Sequence, residues 1–348
     1  MEKKDPLETH EPGWLKDFTD SPRESVNRFS PEQMVECDAC RRPNAPTRLN
    51  CFYCGARLET SEKNEKLIRP VLRKLENWEK GFNVVCFSSS PDEMSRTDLK
   101  AASVFLGFEV ELLENLFEFN FPLPISRVET VEEAGIVENR LKDFNLNAFI
   151  VADEDLSPEK SPQRIRGLEF SGNLTIRFTG NDNIETLNWE DLSVLVEGRM
   201  FESKREALEQ RKKGEAKEIG EASEFSADER VLDFYDSKNL LGYRVSAKSF
   251  DFSCLGAKKS LLANENFEIL LDEFKQRAPN AIFDGNYKII RTLLTQVWEM
   301  DERRDLTGLK HAGVGKINLG STLTINNQSQ FTRYSRLLAF WENKKRQK

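Results

Sequence analysis

The sequence predicts a multidomain α+β protein. It reads as a small four-cysteine segment near the N-terminus, a compact β-α-α-β-α-β domain, and an antiparallel β-barrel or sandwich closed by helices. Three observations lead there. Two Cys-x-x-Cys pairs stand ten residues apart, at Cys37/Cys40 and Cys51/Cys54. Helical and extended patterns then alternate over 81–157, and period-two apolar alternation takes over from 163. The length, 348 residues, allows about two to three compact units.

The chain is 32% charged and 38% hydrophobic, with 51 Lys and Arg against 59 Asp and Glu, a formal charge of −8. That balance argues against bulk nucleic acid as the main partner, since phosphate binding needs a clustered positive field. No apolar run approaches the ~20 residues that span a bilayer. The first residues lack the apolar core of a signal peptide. The expectation is a cytoplasmic chain with no membrane span.

The first 34 residues mix charge, Pro and Ser without periodicity and read as a disordered tail over 1–34. The segment 35–60 carries the clearest chemistry. Cys37, Cys40, Cys51 and Cys54 place four thiolates around one tetrahedral ion, each pair forming a tight knuckle. Gly55 follows the second pair, where a turn needs positive φ. A reducing compartment disfavours paired disulfides, and redox Cys-x-x-Cys motifs come singly. The reading is one structural Zn²⁺ with a closed shell, which folds the segment and does no chemistry.

Residues 35–58, VECDACRRPNAPTRLNCFYCGARL, resemble a small zinc ribbon. The spacing C-x2-C-x3-N-x6-C-x2-C, with Asn44 inside, also resembles the Ran-binding-protein type of zinc finger. That finger carries a Trp two residues before its first Cys, where this chain has Val35. The departure weakens the RNA-binding role found in some members. Four Arg (41, 42, 48 and 57) face Glu36, Asp38 and Glu59, and a Cys₄ zinc centre adds −2, so the segment is near neutral or acidic. A protein partner is the better reading, with Arg41, Arg42 and Tyr53 as its contact residues. Aromatic and Arg side chains are enriched at such contacts.

A connecting helix is expected over 61–80, with Leu67, Val71, Leu75 and Trp78 on one face and Gly81 as its stop. The small α/β module follows over 81–157. Strands are expected at 82–87, 125–128 and 147–152. Helices are expected at 98–106, at 110–119, and after the capping box of Thr130 and Glu133, the last burying Ala134, Val137, Leu141 and Phe144. The element order is similar to the C-terminal domain of the ribosomal stalk protein and to the adaptor domain that feeds substrates to bacterial proteases. The resemblance implies an interaction module. Asp153, Glu154 and Asp155, at the end of its last strand, read as solvated turn chemistry.

The third region, 163–300, opens on a hairpin around 171–173. Two strands broken at Glu190 and Asp191 follow, then strands at 231–235, 243–247 and 250–254. Within it, 204–224 holds twelve charged residues in twenty-one and reads as a solvated helix or disordered insert. Asn266 is the expected N-cap of a helix burying Phe267, Leu270, Leu271 and Phe274. A further helix buries Tyr287, Ile290, Leu294 and Val297. This order resembles a pleckstrin-homology-like barrel, with no Lys/Arg cluster of the phosphoinositide-binding kind. The last segment, 301–348, is a Gly-rich stretch and a basic helix with Phe331, Tyr334, Leu338 and Trp341 at helical spacing.

No catalytic motif stands out. Gly313, Gly315 and Lys316 resemble the end of a phosphate-binding loop, but Lys310 replaces its first Gly and Ile317 its Ser or Thr. His10 and His311 have no ligand or nucleophile neighbour, and Cys86 and Cys254 read as small buried hydrophobes. The sequence therefore reads as a non-enzymatic zinc-ribbon scaffold or adaptor for protein partners. A ribosome- or RNA-associated factor, and an enzyme with an unrecognised site, are the alternatives.

Overall fold

A computed structural model describes residues 34–46, 48, 51–56, 58, 75–87, 96–106, 110, 113, 114, 122–180, 183–212, 215–236, 241–313 and 316–347, with backbone alone at 96–97, 101, 104–105, 207–212, 215–224, 307–313 and 316–320. The chain forms two compact units, 1–70 and 71–348. In the first, β1 (Val35–Glu36) pairs antiparallel with β2 (Pro43–Asn44) beside the cysteines. Of the tail expected over 1–34, only Met34 is described.

The first described residues of the second unit form a turn, not the end of a helix. Residues 75–80 are coil and turn, and Trp78 is 80% exposed where a buried face was expected. The rest of that expected helix lies outside the described residues.

A three-stranded antiparallel sheet follows, in the order β4-β3-β5, from β3 (Phe82–Phe87), β4 (Leu123–Val128) and β5 (Asn147–Ala152). Pro124 cannot donate to a ladder, and it sits on the edge strand β4, where the register with β3 shifts at Val84 and Val85. Between β3 and β4 lie α1 (Arg96–Leu106) and further helical residues at 110, 113 and 114. The capping box forms as the sequence requires. Thr130 Oγ1 accepts from the Glu133 amide at 3.2 Å, and Glu133 accepts from the Thr130 amide at 3.3 Å. The helix it opens, α2 (Val131–Asp143), buries Ala134, Val137 and Leu141 against this sheet.

After the short α3 (Asp153–Leu156) comes a large mixed sheet of β6 (Gln163–Phe170), β7 (Leu174–Phe178), β8 (Ile184–Leu187), β9 (Leu192–Lys212), β10 (Glu215–Asp236), β11 (Tyr243–Ser246), β12 (Ile282–Asp284), β13 (Asp301–Gly313) and β14 (Lys316–Asn326). Its order is β13-β14-β9-β10-β11-β6-β7-β8, with β12 beside β9. The sheet is open, which corrects the expected barrel: β8 and β13 are its two ends, and β11–β6 and β12–β9 pair in parallel.

The described residues of the insert 204–224 are strand, not helix. They continue β9 and β10 as one antiparallel hairpin, and Glu202–Arg211 of β9 also pair with Ile317–Asn326 of β14. Two long hairpins thus join in a four-stranded arm. Cross-strand backbone bonds overrule a composition that taken alone disfavours order. The strand expected at 250–254 is instead a 3₁₀ segment over Phe252–Lys258, capped by Asp251.

The helices α4 (Ala263–Arg277), α5 (Tyr287–Leu294) and α6 (Gln328–Arg346) complete the unit. The helix α4 starts at Leu262 as N-cap, four residues, about one turn, ahead of the expected Asn266, and it buries the four expected apolar residues.

The expected division between 157 and 163 does not separate two compact units. The inner ends of β9 and β10, Leu192–Val196 and Val231–Asp236, are buried on both faces, which is why Val194, Leu195 and Val196 run on without a polar break. Val194, Val196, Val231 and Tyr235 face one core, which holds β3, β4, β5 and α6; Leu195, Leu232 and Phe234 face the other, with α4 and β6–β8. The helix α6 closes the first core. Residues 330–339 are buried in succession, including Gln330, Arg333, Ser335 and Arg336. Gly198 makes room for it, because a Cβ there would lie 2.2 Å from Cε2 of Phe331.

Candidate metal centre

The four Sγ atoms of Cys37, Cys40, Cys51 and Cys54 lie within 4.8 Å of one another. Cys37 and Cys54 are 3.6 Å apart and Cys40 and Cys51 are 3.5 Å apart, and none forms a disulfide. Four thiolates about 2.3 Å from a zinc ion would be separated by about 3.8 Å. The group therefore fits a tetrahedral metal ion.

Local sequence builds this geometry twice. In each knuckle the amide four residues on donates back to the first cysteine's carbonyl, Arg41 to Cys37 at 2.7 Å and Gly55 to Cys51 at 3.0 Å. Each first-cysteine amide donates forward, Cys37 to the Arg42 carbonyl and Cys51 to the Ala56 carbonyl. Asn44 ties the halves together. It is 2% exposed, accepts from the Phe52 amide at 2.8 Å and donates to the Cys51 sulfur at 3.4 Å. The Tyr53 amide donates to the same sulfur at 3.4 Å. Burial raises the Cys51 thiol, but these amides, that of Cys54 and the neighbouring side chains outweigh it and bring it down to about 6. A thiolate is the form a metal needs.

The second knuckle presents Phe52 and Tyr53, 68% and 51% exposed, in an edge-to-face pair 5.4 Å apart. Arg42 lies over the Tyr53 ring at 4.8 Å and Arg48 over the Phe52 ring at 4.8 Å. Of the three contact residues read from the sequence, Arg42 and Tyr53 meet. Arg41 turns away to Glu36 at 3.6 Å and Asp38 at 3.9 Å.

Elsewhere, the structure corrects one reading. Asp153 is no solvated turn residue: it is 4% exposed and binds Arg127 Nη2 at 2.6 Å, the Gly81 amide at 3.0 Å and Asn83 Nδ2 at 3.0 Å. Its signal is a single strand-terminal carboxylate, and nothing local marks it apart from Glu154. Burial pushes the Cys254 thiol up to about 12, opposite to what a nucleophile needs. Cys86 is buried and shifted in the same direction. The side chain of His311, and His10 altogether, lie outside the described residues. So do residues 314 and 315 of the loop-like Gly motif, whose flanks belong to the β13–β14 hairpin. The basic end of α6 is engaged within the fold, with Lys344 over the Phe149 ring and Lys345 over Trp341.

Among the described residues no helix is long and apolar enough to cross a membrane. Comparison of the chain with protein-family models, with characterised proteins and with solved structures finds no match.

Proposed function

We propose that this chain is a non-enzymatic cytoplasmic adaptor, and that its N-terminal segment is a zinc ribbon whose second knuckle captures a protein partner. The observation that carries the reading is the exposed Phe52–Tyr53 pair, each ring backed by a guanidinium, on a cluster of four thiols spaced for one ion. Four thiolates fill a tetrahedral shell, so bound Zn²⁺ supplies folding energy and offers no open position to a substrate. Rigid aromatic rings beside Arg are the composition of protein contact hot spots. Arg41 is neutralised by Glu36 and Asp38, which takes positive charge away from the surface that nucleic acid would need.

The test is capture by the intact chain against a variant with Arg42→Ala, Phe52→Ala and Tyr53→Ala. Identified proteins should be retained by the first and lost by the second, with zinc content and thermal midpoint unchanged. Ribonuclease-sensitive capture with a steep salt dependence would instead support the RNA-associated reading. Capture that survives the triple change would make the ribbon a structural cap.

A further inference from the structure

The unit 71–348 encloses a cleft of about 980 Å³, walled by the 75–80 turn, the residues after α3, the start of β13 and the first turns of α6. Eight carboxylates line it against three basic side chains. Glu76, Glu159 and Glu302 are exposed and form no ion pair among the described residues. Trp78, 80% exposed, adds an indole face to the same wall.

One lining residue points to more than a cation. Arg333 is 1% exposed, and its Nη2 donates to the Asn77 carbonyl at 3.3 Å. Its Nε lies 3.8 Å from Asp153 Oδ1, beyond hydrogen-bond reach, and neither Nε nor Nη1 has an acceptor among the described residues. Asp153 is held by Arg127, Gly81 and Asn83 instead, which leaves its Oδ1 too far from Arg333 for a hydrogen bond. Two buried donors thus lack an acceptor among the described residues, inside a cleft whose wall is acidic. A polyamine would satisfy the carboxylates and leave the guanidinium unpaired. A free carboxylate or phosphate would meet the guanidinium and be repelled by the wall.

We propose that this cleft binds an extended Lys/Arg-rich peptide segment of a partner protein, with side-chain cations on Glu76, Glu159, Glu302 and the Trp78 face and a backbone carbonyl directed to Arg333. A peptide offers both halves in one ligand. The site is independent of the cysteine cluster and of the adaptor reading.

The experiment titrates a fluorescein-labelled oligolysine peptide with the full chain and reads anisotropy. Saturable binding is expected, weakening as salt rises. The set Glu76→Lys, Glu159→Lys and Glu302→Lys should weaken it at least about tenfold, and Trp78→Ala about threefold. The same charge change placed on α2 and the turn before it, at Glu129, Glu132 and Glu138, should leave binding within about twofold, since those sites lie outside the cleft. Should the first set lower the thermal midpoint, the corresponding Gln set is used in its place. Absence of saturable binding, equal loss in the α2 set, or spermine binding as tightly as the peptide would each overturn the proposal.

Discussion

Arg41 and Gly55 hold the same backbone position in the two knuckles, four residues after Cys37 and Cys51, and both are left-handed, at φ 57° and 74°. The same turn is made once by the residue that adopts it freely and once by one that must be held there. For a non-glycine residue the left-handed region costs about 1–2 kcal/mol.

That asymmetry gives a pair of opposite outcomes. A Cβ at Gly55 meets nothing within 4 Å, so Gly55→Ala adds backbone strain alone. It should weaken metal retention by about 1 kcal/mol. Arg41→Gly should strengthen retention by a similar amount, less the small worth of two exposed ion pairs. Competition with a chromophoric chelator measures both.

Freshly purified, reduced protein should carry one zinc per chain. Structural zinc contributes on the order of 10–16 kcal/mol of apparent folding free energy in small fingers, so Cys51→Ser should unfold the first unit. The second unit has its own cores and should melt as before. Elemental analysis with calorimetry tests both statements.

Asp153 is the shared acceptor of Arg127, Gly81 and Asn83. Asp153→Ala strands a buried guanidinium, and breaking such a pair costs about 3–5 kcal/mol. Urea unfolding of the variant should show a loss of that size, with the second unit still cooperative.

Burial pushes the Asp284 carboxyl above the usual carboxylate range, against the opposing hydrogen bonds from Tyr334 and Asn286. The folded state therefore keeps that proton to a higher pH than the unfolded chain does. The contribution is largest on the acid side and falls as pH rises through the raised value. Stability measured between about pH 4 and 7 should show this decline superimposed on other groups, and Asp284→Asn should flatten it.

In the four-stranded arm, β9 is bonded on both sides and β13 on one. Hydrogen exchange should be slowest over 203–211 and faster over 301–313. Fast exchange throughout 204–224 would restore the disordered insert expected from composition.

What could be read in advance was local. Thr130 and Glu133 announce a helix start because the two groups that cap it are three residues apart. Cys37 to Cys54 announce a metal site because ligand spacing is set by knuckle geometry. The rest depends on distant partners. Charged residues at 204–224 argue for solvent until β14, a hundred residues later, pairs alongside. Arg333, Ser335 and Arg336 look like the polar side of an amphipathic helix, yet Ser335 bonds Asp233 at 2.8 Å and Arg336 takes the carbonyls of Leu156, Lys160 and Leu241. Two domains were expected because period two replaces mixed patterning at 163, a shift that says nothing about which core each face of β9 will enter.

The position of α6 has a consequence for synthesis. Tyr334, Leu337 and Leu338 lie in the same core as Val84, Ile125 and Val151, so strands made early in translation, packed at first by α2, have incomplete cover until a helix some two hundred residues later leaves the ribosome. Contacts of such long sequence separation fold slowly. During that interval the apolar face of β3–β5 is open to chaperones, or to the same face on a neighbouring nascent chain. A stop codon or frameshift before 328 would therefore produce an aggregating fragment, and the loss of one helix would act as the loss of the whole second unit.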